Sequence, residues 1–148
     1  MAEIAFYHLT RTSADATLPA LLGRSLAAGE RAVVMCGSDA RVAALDTALW
    51  VCPEPDWLPH GTRASGNATM QPIWLGTDDS APNGARFLFL IDGCESSRLD
   101  AFLRVFDLFD GRDNEAVAAA RLRWKSAKDA GHSLAYWRQT ERGWEKAT

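Results

Sequence analysis

The clearest chemistry in the sequence lies in one stretch, Asp113 to Gly131, DNEAVAAARLRWKSAKDAG. Within it Arg121, Lys125 and Lys128 follow one another at i, i+4 and i+7, with Trp124 among them. At ~100° per residue in a helix, these side chains and Val117 fall on one side. A guanidinium takes a carboxylate through two parallel N–H donors, an ammonium adds a point charge, and an indole borders an apolar pocket. That combination suits a ligand that is both acidic and hydrophobic. It also describes a solvated face whose long Lys and Arg stems cover the protein. Leu122, with the small Ala118, Ala119 and Ser126 around it, lies roughly a quarter-turn away and marks the expected contact with a sheet. Asp129 shares that side, which places the end of the contact before the last turn.

Other chemistry is not assembled by the sequence. There is no G-x-x-x-x-G-K-[ST], and TRTSADATL after the first strand has no glycine that would let backbone approach a pyrophosphate. FLFLID, residues 87–92, looks like the apolar strand plus Asp that holds magnesium in P-loop enzymes. Without a phosphate cradle upstream, Asp92 is a strand-end or turn residue. His8, His60 and His132 are scattered, outside H-E-x-x-H, and are assigned structural roles. No G-x-S-x-G elbow exposes a serine, and Cys36 after an apolar run fits a packed thiol better than a nucleophile. Asp39, Asp46, Asp78 and Asp79 do not make a two-metal site by spacing. No catalytic residue, cofactor or metal ligand is therefore named.

The 148 residues fit a single domain spanning 1–148. A net charge of −3 and a pI near 5.6 argue against a surface that tracks a nucleic-acid backbone, so contact with DNA is expected to be indirect. Cys36, Cys52 and Cys94 lack C-x-x-C spacing and suggest neither zinc nor a disulfide framework. MAEIAFYHL has no basic n-region, and no apolar run approaches the ~18 residues of a membrane span, so a soluble cytoplasmic protein is expected.

The elements that must position these residues alternate. IAFYHL, residues 4–9, is a strand, and Leu18, Leu21, Leu22 and Leu26 mark a helix that starts near Asp15 and stops at Gly29. RAVVMC, residues 31–36, is a buried strand, followed by a helix capped by Ser38 or Asp39 and ended near Trp50 by Pro53 and Pro55. Residues 52–67 are irregular and carry Trp57 and Leu58 without periodic partners. QPIWL (71–75) and the central FLFLID (87–92) are strands. Leu99, Phe102, Phe106 and Phe109 recur at offsets of three and four, which predicts a helix over 96–110, although VFDLF also fits a strand. The basic helix follows, then SLAYWRQT and a segment around Trp144, both extended. Successive βα units imply an α/β fold: a Rossmann-like, open, mostly parallel sheet with helices on both faces and no nucleotide-binding loop.

FYHL, LDTALW, WLPHG, FLFLI and AARLRWKSAKDAGHSL together resemble the chi subunit of bacterial DNA polymerase III, over nearly the full length and in the same order. Members of that family are non-catalytic, and the resemblance implies an adaptor that links the clamp loader, through the psi subunit, to single-stranded-DNA-binding protein. The C-terminal tail of the latter is acidic and ends in an aromatic residue. Carried over, Arg121 is the main carboxylate clamp, Lys125 lies one turn on, and Trp124 replaces a tyrosine. Val117 stands where the family can have a basic residue, with Lys128 as compensation. The psi-facing patch corresponds to Trp50, Trp57, Leu58 and Pro59, residues that otherwise anchor the loop. Psi, a functional equivalent, or a repair helicase fits that patch. The alternative of another class is a small Rossmann-type nucleotide-binding enzyme.

Overall fold

The computed structural model describes residues 2–53 and 58–147. Strands and helices alternate as β1 (Glu3–Leu9), α1 (Ala14–Ala27), β2 (Ala32–Met35), α2 (Asp39–Val51), β3 (Gly61–Thr62), β4 (Ile73–Gly76), β5 (Phe87–Leu90), β6 (Arg104–Asp110), α3 (Asn114–Asp129), β7 (Ser133–Thr140) and β8 (Gly143–Lys146). The strands form one sheet in the order β3-β4-β2-β5-β6-β1-β7-β8. Every neighbouring pair is parallel except the β7–β8 hairpin.

Alternation along the strands builds two cores. Ala5, Tyr7 and Leu9 of β1 face the same side as Phe106 and Leu108 of β6, under Leu18 and Leu22 of α1 and Leu45 and Leu49 of α2. Ile4 and Phe6 join Val105 and Phe109 on the other side, against Ala120 and Ala127 of α3. The sheet is thus covered by α1 and α2 on one face and by α3 on the other, an α/β architecture. β5 lies inside it with all four residues buried, as an apolar strand between β2 and β6 must. The helix starts are fixed by side chains. The Ser13 hydroxyl accepts from the Ala16 N–H, Ser38 from Arg41, and the Asp113 carboxylate from Glu115 and Ala116.

Two expectations are corrected. The helix expected over 96–110 is a single 3-10 turn, Leu99–Ala101, followed by β6. The offsets of three and four did not mark a stripe, because Phe106 and Phe109 point to opposite faces of the sheet. A strand between two parallel neighbours is apolar on both faces and can imitate helical spacing over a short run. The second correction concerns α3. Leu122 is 71% exposed, and Ala118, Ala119 and Ser126 are also exposed. The helix packs instead through Ala120 and Ala127, with Val117 and Trp124 half-buried beside them. Small side chains let the helix axis approach the sheet, and Trp124 fills the space they leave. Val117 and Trp124 of the expected cationic side therefore belong to the packing face, and the basic residues rim it.

Candidate functional site

α3 crosses β1 and delivers the chain to β7, so that side chains of α3 and β7 confront each other across a groove of about 480 Å³. Val117, Arg121, Trp124 and Lys128 line it from α3, and Tyr136 and Arg138 from β7. Its floor is Phe109 and Ala120, both buried. The Trp124 indole is held edge-on against Phe6, with centroids 5.2 Å apart, and against Tyr136 at 5.8 Å. Edge-to-face packing of this kind fixes the ring while leaving part of it open to the groove.

Four cations at or beside the groove, Arg121, Lys125, Lys128 and Arg138, have no ion-pair partner among the described residues. Arg138 stands across from Glu145 in the hairpin register, yet the two form no ion pair. Arg123, on the same helix, is committed. Its Nε and Nη2 donate to Asp107 at 2.7 and 2.9 Å, and both side chains are almost wholly buried. The unpaired charges shape their surroundings. Burial pushes the Tyr136 hydroxyl up, against the field of Arg138 and Arg121. The His8 imidazole is held below its ordinary value, first by burial and then by the same two guanidinium groups, although a hydrogen bond to the Gly111 backbone opposes the shift. An apolar floor with aromatic walls and unneutralised cations can hold an anionic ligand that carries a ring.

Of the residues expected on this helix, Val117, Arg121, Trp124 and Lys128 come together here, while Lys125 is exposed and does not line the groove. It lies one position round the helix from Trp124. Phe109, Tyr136 and Arg138 were missed. Leu134, Tyr136 and Arg138 share one face of the strand by alternation, and that was the available signal; what pairs this face with α3 is the strand order.

At the end of α2, Trp50 is 58% exposed and Val51 74%. Trp50 lies over the His60 ring at 4.3 Å between centroids. His60 is itself fixed, with Nε2 at 2.9 Å from the Asp46 carboxylate and Nδ1 at 2.6 Å from the Leu58 carbonyl oxygen. Leu58 is 2% exposed and belongs to the core under α1 and α2. It anchors the loop and is unavailable to a partner, a correction that follows from the apolar side chain entering the nearest core. Pro59 is half-buried, and Trp57 lies outside the described residues.

The place where an α/β sheet commonly binds ligands, at the carboxyl ends of the strands, holds a second groove of about 580 Å³. An ionic bridge forms part of its lining. Arg41 donates to Asp15 at 2.8 and 3.2 Å and to Asp92 at 3.0 and 3.2 Å, and Asp92 also accepts the Gly37 N–H. Asp92 adopts a left-handed turn conformation, φ 58°, after Ile91, which follows the end of β5. Cys36 nearby is pushed up to about 12, mainly by burial and then by Asp92, which leaves it a packed thiol. Among the described residues no three His, Cys, Asp or Glu side chains form a metal cluster, and no helix is long and apolar enough to cross a membrane.

Residues 1–135 match the family described as DNA polymerase III chi subunit, HolC. The chain belongs to the chi subunit family. No curated protein matches it significantly. A chi subunit is an accessory subunit of the DNA polymerase III complex, so the chain has an accessory role in DNA replication in association with that complex. The chi match stops short of Tyr136 and Arg138, and the second wall of the groove is therefore read from this chain alone.

Proposed function

We propose that the chain is a non-catalytic adaptor whose α3–β7 groove binds the acidic C-terminal tail of single-stranded-DNA-binding protein, while a second surface around Trp50 meets psi or a functional equivalent of the clamp-loader assembly. The observation that carries this reading is the groove itself, where Arg121, Lys128 and Arg138, without an ion-pair partner among the described residues, stand around an apolar floor. The carboxylates of such a tail dock on the guanidinium and ammonium groups, and its terminal ring enters between Val117, Trp124 and Tyr136. The Arg41 bridge supports the non-catalytic part, because it places two carboxylates where a nucleotide phosphate would need donors. An adaptor of this kind works in the cytoplasm, beside the replicating chromosome, and touches DNA only through its partners.

Calorimetry with acidic peptides that end in Phe or lack it tests the reading. Charge-assisted hydrogen bonds are worth ~1.5–3 kcal/mol each, so Arg121→Ala is expected to weaken binding by about ten- to a hundredfold. Lys128→Ala weakens it less, and rising salt weakens it further. Equal affinity for both peptides, or indifference to Arg121→Ala, rejects the groove as the tail site. ATP turnover that survives purification and depends on Asp92 rejects the non-catalytic assignment.

A further inference from the structure

We propose that His8 is the proton-coupled residue of the α3–β7 groove, gaining a proton when an acidic ligand settles on Arg121 and Arg138; the inference rests on the reading of that groove as an acidic-tail site.

The register places His8 beside Arg138 of β7 and beside Phe109 of β6. Its ring stands edge-on to Tyr136, 5.8 Å between centroids, and its Nδ1 is hydrogen-bonded to the Tyr136 hydroxyl. On the other side the ring fills the space above Gly111 so closely that a Cβ there would lie 2.2 Å from Nε2. The imidazole is thus closely packed on that side, and through Tyr136 it touches a wall of the groove.

The charged and titratable groups that face it are few. β7 presents Tyr136 and Arg138, α3 presents Arg121, β6 presents the uncharged Phe109, and the following turn presents the Gly111 backbone. Burial and the two guanidinium groups push the ring toward its neutral form, against the hydrogen bond to the Gly111 backbone. In that state Tyr136 donates its hydroxyl hydrogen to Nδ1, which the neutral ring can accept. A ligand that sets carboxylates on Arg121 and Arg138 cancels their repulsion and adds attraction for an imidazolium. The ring's proton affinity must then rise, and Nδ1–H becomes the donor to the Tyr136 oxygen. Linkage makes the effect reciprocal: the ligand binds more tightly where His8 is protonated. Arg, Lys and Tyr keep their charge between about pH 5.5 and 8, so His8 is the group in this setting that can respond.

The experiment measures binding of an acidic peptide ending in Phe to the full chain from pH 8.0 to 5.5, with the calorimetric heat at pH 7 compared in phosphate and Tris. Net proton uptake is expected, with affinity about fivefold higher at the acid end. His8→Gln keeps a hydrogen-bonding side chain and is expected to bind the peptide with a flat pH profile and no uptake. A profile unchanged by His8→Gln, or the absence of uptake in the wild type, overturns the proposal. If the peptide does not bind at all, the tail reading fails by itself, and proton NMR of His8 in the wild-type chain still decides the coupling. Its titration midpoint is expected to rise when citrate, a tricarboxylate, is added, and to respond to citrate less in Arg138→Ala. A midpoint that citrate does not move overturns the proposal, and this arm does not depend on the folding of any His8 variant.

Discussion

Asp79 fixes the loop before Leu99 through three donors: the Ser96 hydroxyl at 2.6 Å, the Ser97 N–H at 2.8 Å and the Ser97 hydroxyl at 3.0 Å. Burial alone pushes this carboxyl up, but those donors and Arg98 bring it below the usual carboxylate range. A folded value below the unfolded one means that the stabilisation is complete above about pH 4 and is lost as pH falls through the folded value. Asp79→Asn is therefore expected to lower stability at pH 7 by about 1–3 kcal/mol, with a smaller gap from the wild type at pH 3. Urea unfolding at the two pH values checks it, and a gap that stays constant would show that charge is not involved. This role was not legible in the chain, because Asp79, Ser96 and Ser97 meet only through the fold. Arg121, Trp124 and Lys128 could be read together because one helix fixes their spacing. Arg138 could not, since its relation to them depends on which strand lies beside β1.

At the scale of elements, α3 is held to the sheet by small apolar residues and by one buried ion pair. Burial pushes the Asp107 carboxyl above its usual range even though Arg123 opposes the shift, so desolvation outweighs the pairing there. Removing one partner leaves the other charge buried and alone, which typically costs about 3–5 kcal/mol, whereas replacing both with apolar groups is often neutral. Arg123→Met is expected to destabilise by about that amount, and Asp107→Leu combined with Arg123→Met to recover most of it. Thermal or urea unfolding of both variants measures the difference; equal losses would place the energy in packing rather than in the uncompensated charge. Most elements were evident in the chain, since apolar strands and leucine-spaced helices carry their own period. RVFDLFD was the exception: a strand buried on both faces loses its alternation, and its one buried charged residue, Asp107, is matched by a helix residue that only the folded chain brings near. The orientation of α3 failed for a related reason. Leu122 looked like the anchor, but the alanines decide how closely the helix lies, and they set its face.

Across the whole molecule the two proposed surfaces belong to different ends and different faces of the sheet. α2, which carries Trp50, packs over β4 and β3, whereas α3 packs over β6 and β7. Five strand spacings separate β4 from β7 in the sheet order, or about 24 Å. The two proposed surfaces therefore do not overlap, which the adaptor reading requires. The strand order also governs how the protein comes into being. β1, the earliest strand, is sandwiched between β6 and β7, which follow it by about a hundred residues or more. During synthesis it must wait as an unpaired apolar segment until nearly the whole chain has left the ribosome. Closing such long loops before any pairing is rewarded makes folding slow, on the order of milliseconds to seconds. Stopped-flow refolding is expected to fall in that range, with β1 amides gaining hydrogen-exchange protection together with β7 rather than ahead of it; early protection of β1 alone would contradict this. The strand that lies between β6 and β7 is thus among the last parts of the sheet to be secured, and a nascent chain acquires its α3–β7 groove only at the moment its fold is complete.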